Sequence, residues 1–424
     1  MRRVKTASNR LFTNCTVIDG RGGEPIADAH VLVSGDSIRR VAIGPFNGAA
    51  SGAEVWDLQG GFLLPGFCST HVHLGDVWPL PELVDEPAAQ RAIRAGSNAM
   101  DALRCGITSM RSLGEDRFID VAWREAFEKG ISIGPTIVAS GNPLIAPGGH
   151  AKFMSRNLEV KGPGALRRAV EYQIERGVDC IKLVTTAGEA LDEGQSFGQL
   201  QFTSEEVRAV VDTAHAAGKF VCTHTGTTEG VLQAVDAGVD CIEHGYVMNQ
   251  TAVDALVANG VFLTPTLTVT HNEAYFEKVG MPEAQRERFR RLRDRHAESF
   301  RRAYRSGVQI VCGADLNPVG YCTLSEIEWM VRLGMTTSDA LVAATDTSAR
   351  TNGIARERGT IEVGKKADLV VLNGNPLDDI GHIWNAELVV KSGRPVGMDR
   401  SESKADLWDV LLSCGQTGIE AGAK

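Results

Sequence analysis

The chain has 424 residues, too many for one small core, so its length asks for two or three domains or for one barrel with an elaboration. A formal net charge of −9, with acids and bases interspersed, offers no basic track to a phosphate backbone and argues against a nucleic-acid partner. The opening MRRVKTASNRLFTNCTVIDG has basic residues but no apolar run behind them. No apolar stretch of about 20 residues follows anywhere, so a cytoplasmic protein without a membrane partner is expected.

From residue 10 to about residue 61 the chain reads as short strands broken by Gly and Asp turns: LFTNCTVIDG, HVLVSGDSIRRVAIG and AEVWDLQGG. A second β-like piece lies far downstream, in GTIEVGKKADLVVLNG and AELVVKSGRPV. Residues 1–61 and 354–400 are therefore expected to build one β-sandwich from both chain ends. Between them, over 62–353, apolar strand-like runs alternate with helical periodicity. The strands are read at GFLLPGFCSTHVHLG, ITSMRSLG, PTIVASG, VDCIKLVTT, KFVCTHT, VDCIEHG, VFLTPTLTV and VQIVCGAD. One intervening helix opens with a T-x-x-E capping box at TSEEV. Another, over 282–306, is so rich in paired Arg and Glu that it reads as a solvated face. Eight strands, each followed by helical sequence, are what a closed (β/α)₈ barrel needs. An open doubly wound sheet would want a Gly-rich phosphate turn after its first strand, and none is present. The tail 401–424 is polar, with one apolar turn in WDVLLSC. Long outer helices are compatible with a homo-oligomer.

The nine cysteines are scattered and form no C-x-x-C pair, which is the usage of small core residues in a reducing compartment. The histidines are more informative. On a strand, residues i and i+2 share a face, so His71 and His73 of THVHLG aim two imidazoles at one point, a chelate for zinc or a similar divalent metal. Chemistry in a (β/α)₈ barrel collects at the C-terminal ends of the strands. Those ends carry His71 and His73, Lys182, His224, His244 and Asp315. His30, His215, His296 and His382 fall elsewhere, as ordinary polar residues. Tyr246, directly after the His244-Gly245 pair, could hydrogen-bond a substrate carbonyl or carboxylate, or simply cover the barrel.

The motifs GFLLPGFCSTHVHLG, VDCIKLV, CTHTGTTEGVLQAVDAGVDCIEHG, CGADLNP and SARTNGIARERGTIEVGKKADLVVL together resemble the amidohydrolase superfamily over nearly the whole chain. Within it the chain is most similar to the branch of imidazolonepropionase-related proteins and Xaa-Pro dipeptidases. The resemblance implies a binuclear centre of two divalent metal ions, usually zinc, bridged by a carboxylated lysine and a hydroxide. It implies His71, His73 and Asp315 on the more buried metal, His224 and His244 on the outer one, and N-carboxylated Lys182 between them. A bare ammonium at Lys182 would be costly in an apolar strand, whereas a carbamate is an anion that fits between two cations. Two Zn²⁺ set against carbamate, aspartate and hydroxide leave a net charge of about +1, suited to polarising a carbonyl oxygen.

The activity so implied is hydrolysis of a C–N amide bond in a small molecule by the bridging hydroxide, with Asp315 moving the proton. The substrate class is an Xaa-Pro dipeptide or an N-acyl amino acid. His150, in APGGHAKF, matches a G-G-H loop that contributes to substrate binding in this branch. Two departures bear on the substrate: TGTTEG follows His224 where the branch more often has a second histidine, and LNPVGYCTLSEIEW follows Asp315 without the histidine common there. An aryl amide, urea, carbamate or lactam is the alternative on the same scaffold. A basic group at the barrel mouth able to hold a carboxylate separates the two, and Arg111 and Lys152 are the candidates. A non-enzymatic homologue would be expected to have lost ligand positions, and this chain retains them all.

Overall fold

The computed structural model describes residues 9–44, 52–75, 86–151, 158–188 and 196–397. The N-terminal segment forms β1 (Arg10–Val17), β2 (Ile26–Ser34), β3 (Ser37–Ile43), β4 (Glu54–Asp57) and β5 (Phe62–Pro65). In β2, Ala29, Val31 and Val33 are buried and His30 and Leu32 between them less so, the period of two that one covered face imposes. The chain continues with β6 (Phe67–Val72), β7 (Ile107–Ser112), β8 (Thr136–Ala139), β9 (Leu144–Ile145) and β10 (Leu158–Glu159). Next come β11 (Cys180–Val184), β12 (Phe220–Thr227), β13 (Cys241–Val247) and β14 (Phe262–Thr264). It closes with β15 (Leu369–Leu372), β16 (Ala386–Lys391) and β17 (Arg394–Val396).

Both chain ends meet in one eight-stranded sheet ordered β17-β16-β15-β5-β1-β2-β3, with β4 on β1. The ladder that joins them is antiparallel and pairs Leu369 with Pro65 and Leu372 with Phe62. Phe12, Val31, Ile38, Leu63, Val371 and Val390 pack together on this sheet. The central strands form two parallel sheets, β6-β7-β8 and β10-β9-β11-β12-β13-β14. Every residue of β6, β7 and β11 is buried, which is why these strands read as continuous runs rather than alternating ones.

Backbone bonds link the two central sheets at both joins. Asp179 N–H donates to Ala139 O (2.7 Å), from the start of β11 to the end of β8. On the other side, residues 308–315 lie between β14 and β6: Val311 N–H donates to Leu263 O (3.0 Å) and Thr70 N–H to Cys312 O (2.7 Å). This segment was expected to be a full strand, and it makes only one bridge, Leu263 with Ile310. The reason is close approach. A Cβ on Gly313 would lie 2.6 Å from His71 N and from Thr264 Cγ2, so the segment passes β6 backbone to backbone and then turns out through Asp315 at φ 65°. β14 is also shorter than VFLTPTLTV promised, because Pro265 has no N–H for the ladder and Thr266 takes φ 52°.

Helix Ser204–Ala216 opens with the expected capping box: Glu206 N–H donates to Thr203 Oγ1 (3.3 Å) and Thr203 N–H to Glu206 Oε2 (2.8 Å). The charged segment is helix Glu283–Arg305, whose Arg286 and Arg290 pair with Glu273 and Glu283 while Phe289, Leu292 and Phe300 are buried. Among the described residues eight cysteines are buried free thiols, and no helix is long and apolar enough to cross a membrane. Cys414, Lys152 and the tail 401–424 lie outside the described residues.

The terminal sheet is tied to the central strands by a buried polar bolt. Lys391 of β16 donates to Thr108 O (2.7 Å), Thr136 Oγ1 (2.8 Å) and Asp368 Oδ2 (2.7 Å). Asp368 also takes Arg358 and the Ser392 N–H (2.7 Å). Removing one partner of a buried ion pair strands the other charge, at a cost of about 3–5 kcal/mol. Asp368→Asn is therefore expected to lower the unfolding free energy by about that amount, read as a lower urea midpoint in equilibrium denaturation.

Candidate metal centre

The site begins with β6, whose last turn of chain, His71-Val72-His73-Leu74-Gly75, is strapped on every side. Asp315 N–H donates to His71 O (3.0 Å) and Asn317 Nδ2 to His73 O (2.8 Å). Glu115 accepts from Leu74 N–H and from Gly75 N–H (2.9 Å). With the backbone held, the expected i and i+2 pairing is realised. His71 Nε2 stands 3.1 Å and His73 Nε2 3.0 Å from Asp315 Oδ1. One ligand atom from each of these three residues falls within 4.8 Å of the others, a set able to hold a metal ion.

The remaining imidazoles continue from this trio as an arc. Ring centroids lie 5.4 Å apart for His73–His71, 5.1 Å for His71–His244, 4.3 Å for His244–His224 and 4.6 Å for His224–His150. His244 owes its place to its backbone. Consecutive strand residues face opposite ways, yet both Glu243 and His244 reach His71, and the φ of 79° at His244 is what breaks the alternation. Its Nδ1 bonds Thr266 Oγ1 (2.7 Å), which leaves Nε2 available. His224 Nε2 is buried with no hydrogen-bond partner among the described residues. Gly188 lies against this end of the arc, where a Cβ would collide with His150 Nε2 and approach His224 Nε2 at 3.0 Å.

Electrostatics follow from burial. Burial alone would raise the Asp315 carboxyl, but His71 and His73 beside it hold it well below the usual carboxylate range. Burial drives His224 and His244 well below the usual imidazole range, helped by their neighbours: His244 and His150 act on His224, and His71 on His244. Burial also lowers the Lys182 amine, against the pull of Glu243 and Asp315. Neutral imidazoles, an ionised carboxylate and a lysine disposed to lose its proton are the donor set a divalent metal takes.

Of the residues singled out, all but Lys152 can be placed. His71, His73 and Asp315 form the trio, His224 and His244 adjoin it without entering the 4.8 Å set, and Lys182 is buried within electrostatic reach of Asp315, His224 and His244. His150 reaches the arc from its loop. Tyr246 is fully buried and stacks on His244 at 5.0 Å and 14°. Arg111 is a correction: it is not at the mouth and is no clamp for a substrate carboxylate. It is fully buried, donating from Nε to Thr70 O (2.7 Å) and from Nη2 to Glu243 Oε1 (2.9 Å). Strand alternation carries it inward, toward the only kind of partner that makes such burial tolerable. Sequence reasoning missed Glu243 itself. The signal was there, a carboxylate set inside the apolar run VDCIEHG, where an unpaired charge would be prohibitive.

A model of the amidohydrolase family matches residues 62–396. The ochratoxinase of Aspergillus niger is 28% identical over 369 residues, covering 78% of this chain and 75% of that protein. A solved Xaa-Pro dipeptidase with methionine bound in its active site superimposes with a TM-score of 0.84 at 30% identity, covering 92% of this chain and 100% of its own. A prolidase complexed with N-methylphosphonate-L-proline gives a TM-score of 0.84 at 28% identity, over 92% of this chain and 99% of its own.

Behind the arc lies a second pair of histidines. Thr270 Oγ1 bonds both His271 Nδ1 (2.8 Å) and His296 Nδ1 (2.7 Å), and His296 packs on Tyr246 at 4.9 Å. Burial lowers His271 to about 4 and His296 to about 3. Their folded values lie below the unfolded one, so the unfolded chain protonates first. Their contribution is complete above pH 6.5 and is lost as pH falls toward 4, at roughly 1 kcal/mol for each histidine by pH 5.5. Thermal melts are expected to show Tm falling over this window, with a shallower slope in His296→Gln.

Proposed function

Because the chain belongs to the amidohydrolase family, whose fold is a TIM-like barrel, we propose that it is a binuclear metallohydrolase that cleaves a C–N amide bond. The observation that carries this reading is the pairing of two imidazole nitrogens with one carboxylate oxygen at 3.0–3.1 Å. Lone pairs facing each other at that distance require a proton or a cation between them, and two imidazoles converging with a carboxylate are a donor set that suits a divalent cation. His71, His73 and Asp315 would hold the more buried ion and His224 and His244 the outer one, with zinc as the expected metal. Lys182, whose amine burial shifts toward the neutral form, would add carbon dioxide with release of a proton, and the carbamate would supply a further anionic ligand to the pair. Residues 62–353 are then the catalytic barrel, and 1–61 with 354–400 the flanking β-sandwich.

When bound, the metal pair supplies water of lowered pKa and an electrophile for the carbonyl oxygen. The chain does the rest. Asp315 Oδ1 is turned to His71 and His73, so Oδ2 is the atom left to take the proton from the attacking water and pass it to the leaving amine. His71 and His73 beside it favour the ionised carboxylate, the form that can accept a proton. His150 stands beside His224, where it can donate to a substrate oxygen, and Gly188 keeps that approach open. Tyr246, stacked on His244, fixes the plane of that ring.

The substrate class follows the relatives: an Xaa-Pro dipeptide or an N-acyl amino acid, in keeping with the likeness to solved dipeptidase and prolidase structures. A second reading, an aryl amide, urea, carbamate or lactam, draws on the burial of Arg111, which removes one of the two cations considered for holding a substrate carboxylate. Amine release across a panel of all these classes separates them. Turnover confined to carboxylate-bearing members supports the first, and turnover confined to neutral members supports the second. In either case, dialysis against a chelator is expected to abolish turnover and Zn²⁺ to restore it. Asp315→Asn should lower kcat about 10²–10⁴-fold. Full activity in that variant would refute Asp315 as the proton carrier.

A further inference from the structure

Beneath the trio lies a contact that ligand geometry alone does not require. Glu243 Oε2 is 2.9 Å from His71 Nδ1, and Glu243 Oε1 accepts from Arg111 Nη2 at 2.9 Å. Both side chains of the carboxylate–guanidinium pair are fully buried. Arg111 Nε is spent on Thr70 O (2.7 Å), the carbonyl directly before His71, and its guanidinium lies over the Phe220 ring at 5.4 Å. One arginine on β7 thus braces the backbone of β6 and the carboxylate of β13, and that carboxylate in turn holds the ring of His71.

We infer that Glu243, fixed by Arg111, is a positioning residue that sets the tautomer and orientation of His71 and thereby the affinity of the site for its more buried divalent cation. The inference rests on the binuclear reading above. Its logic is that of donors and acceptors. An ionised carboxylate only accepts, so the hydrogen of a neutral His71 lies on Nδ1 and the lone pair is left on Nε2, the nitrogen facing Asp315. Glu243 is not itself a ligand, because its two oxygens are turned to His71 and Arg111. Carboxylates behind ligating histidines orient the ring and raise its basicity, and their loss costs about 10–100-fold in metal affinity. The net charge of the Arg111–Glu243 pair is zero, so it orients the imidazole without adding to the charge of the centre.

The test uses the full chain, stripped of metal and titrated with Zn²⁺ against a chromophoric chelator, with the absorption spectrum of the Co²⁺-loaded protein as a second readout. Glu243→Gln is expected to bind the tighter ion about 10–100-fold more weakly, with an altered Co²⁺ spectrum; because it strands the buried Arg111 charge it also lowers the melting temperature of the metal-free protein, so the stability control is read in a variant that keeps the charge. Glu243→Asp keeps the charge that Arg111 needs while withdrawing the carboxylate from His71. It is expected to weaken binding in the same direction, and it serves if the Gln variant does not fold. Affinity within about threefold of wild type in both variants overturns the inference, as does an affinity loss in Glu243→Asp matched by an equal loss of metal-free stability. A wild-type chain that holds a single ion, with affinity still lost in Glu243→Gln, overturns the two-metal reading and upholds this one. A wild-type chain that binds no divalent ion overturns both.

Discussion

The constraint on which this structure turns is the cost of keeping imidazoles, carboxylates, a lysine and an arginine together out of water. Each would be prohibitive alone, and each is made tolerable by a specific neighbour. Arg111 faces Glu243, Glu243 faces His71, and His71 faces Asp315. The chain of partners runs from the packed interior to the open end of the strands, so the side chains that would meet a substrate are anchored by ones that never do. Networks of this kind are rigid when every member is satisfied. Among the described residues His224 Nε2 and Arg111 Nη1 have no hydrogen-bond partner, and the first of these lies where chemistry is expected.

Backbone geometry cooperates with that network at a few positions. His244 and Asp315 both take positive φ, a conformation that non-glycine residues adopt only when the surroundings impose it. In each case the unusual dihedral redirects a side chain that regular strand geometry would send elsewhere. Gly313 lets the last strand segment approach β6 closely enough for the Asp315 N–H to bond His71 O. Strain and close approach therefore fall at the points where the candidate ligand set is assembled. Glu326 does comparable work behind the site: it accepts from Leu267 N–H, Thr268 N–H and Thr268 Oγ1 and so fixes the turn after β14 that leads to His271.

Much of the candidate site was legible because its residues obey local rules. His71 and His73 share a strand face, and Lys182, His224, His244 and Asp315 each follow a short apolar run, so periodicity and position sufficed to single them out. Arg111 was misjudged by the same reasoning: its place near the end of a strand suggested the mouth, and only the side it faces made it a core residue. Glu243 went unremarked because its meaning depends on Arg111 and His71, which are far from it in sequence. The eighth strand and the length of β14 were overestimated because a hydrogen-bond ladder ends where a neighbouring strand, a proline or a glycine contact ends it.

What the sequence by itself determined is therefore local and periodic: the alternation of strand and helix, the capping box at Thr203, the charged face of the helix Glu283–Arg305, the buried habit of the cysteines, and which side chains are candidates to hold a metal. Motif similarity added the family. What only the tertiary structure decided is partnership: which carboxylate sits behind which imidazole, which cation is spent in the core rather than offered to a substrate, and how Lys391 bolts the terminal sheet to the central strands. The physical reason is that strand and helix periods arise from interactions a few residues apart, whereas the pairing of buried charges is set by distances across the fold that no spacing along the chain encodes.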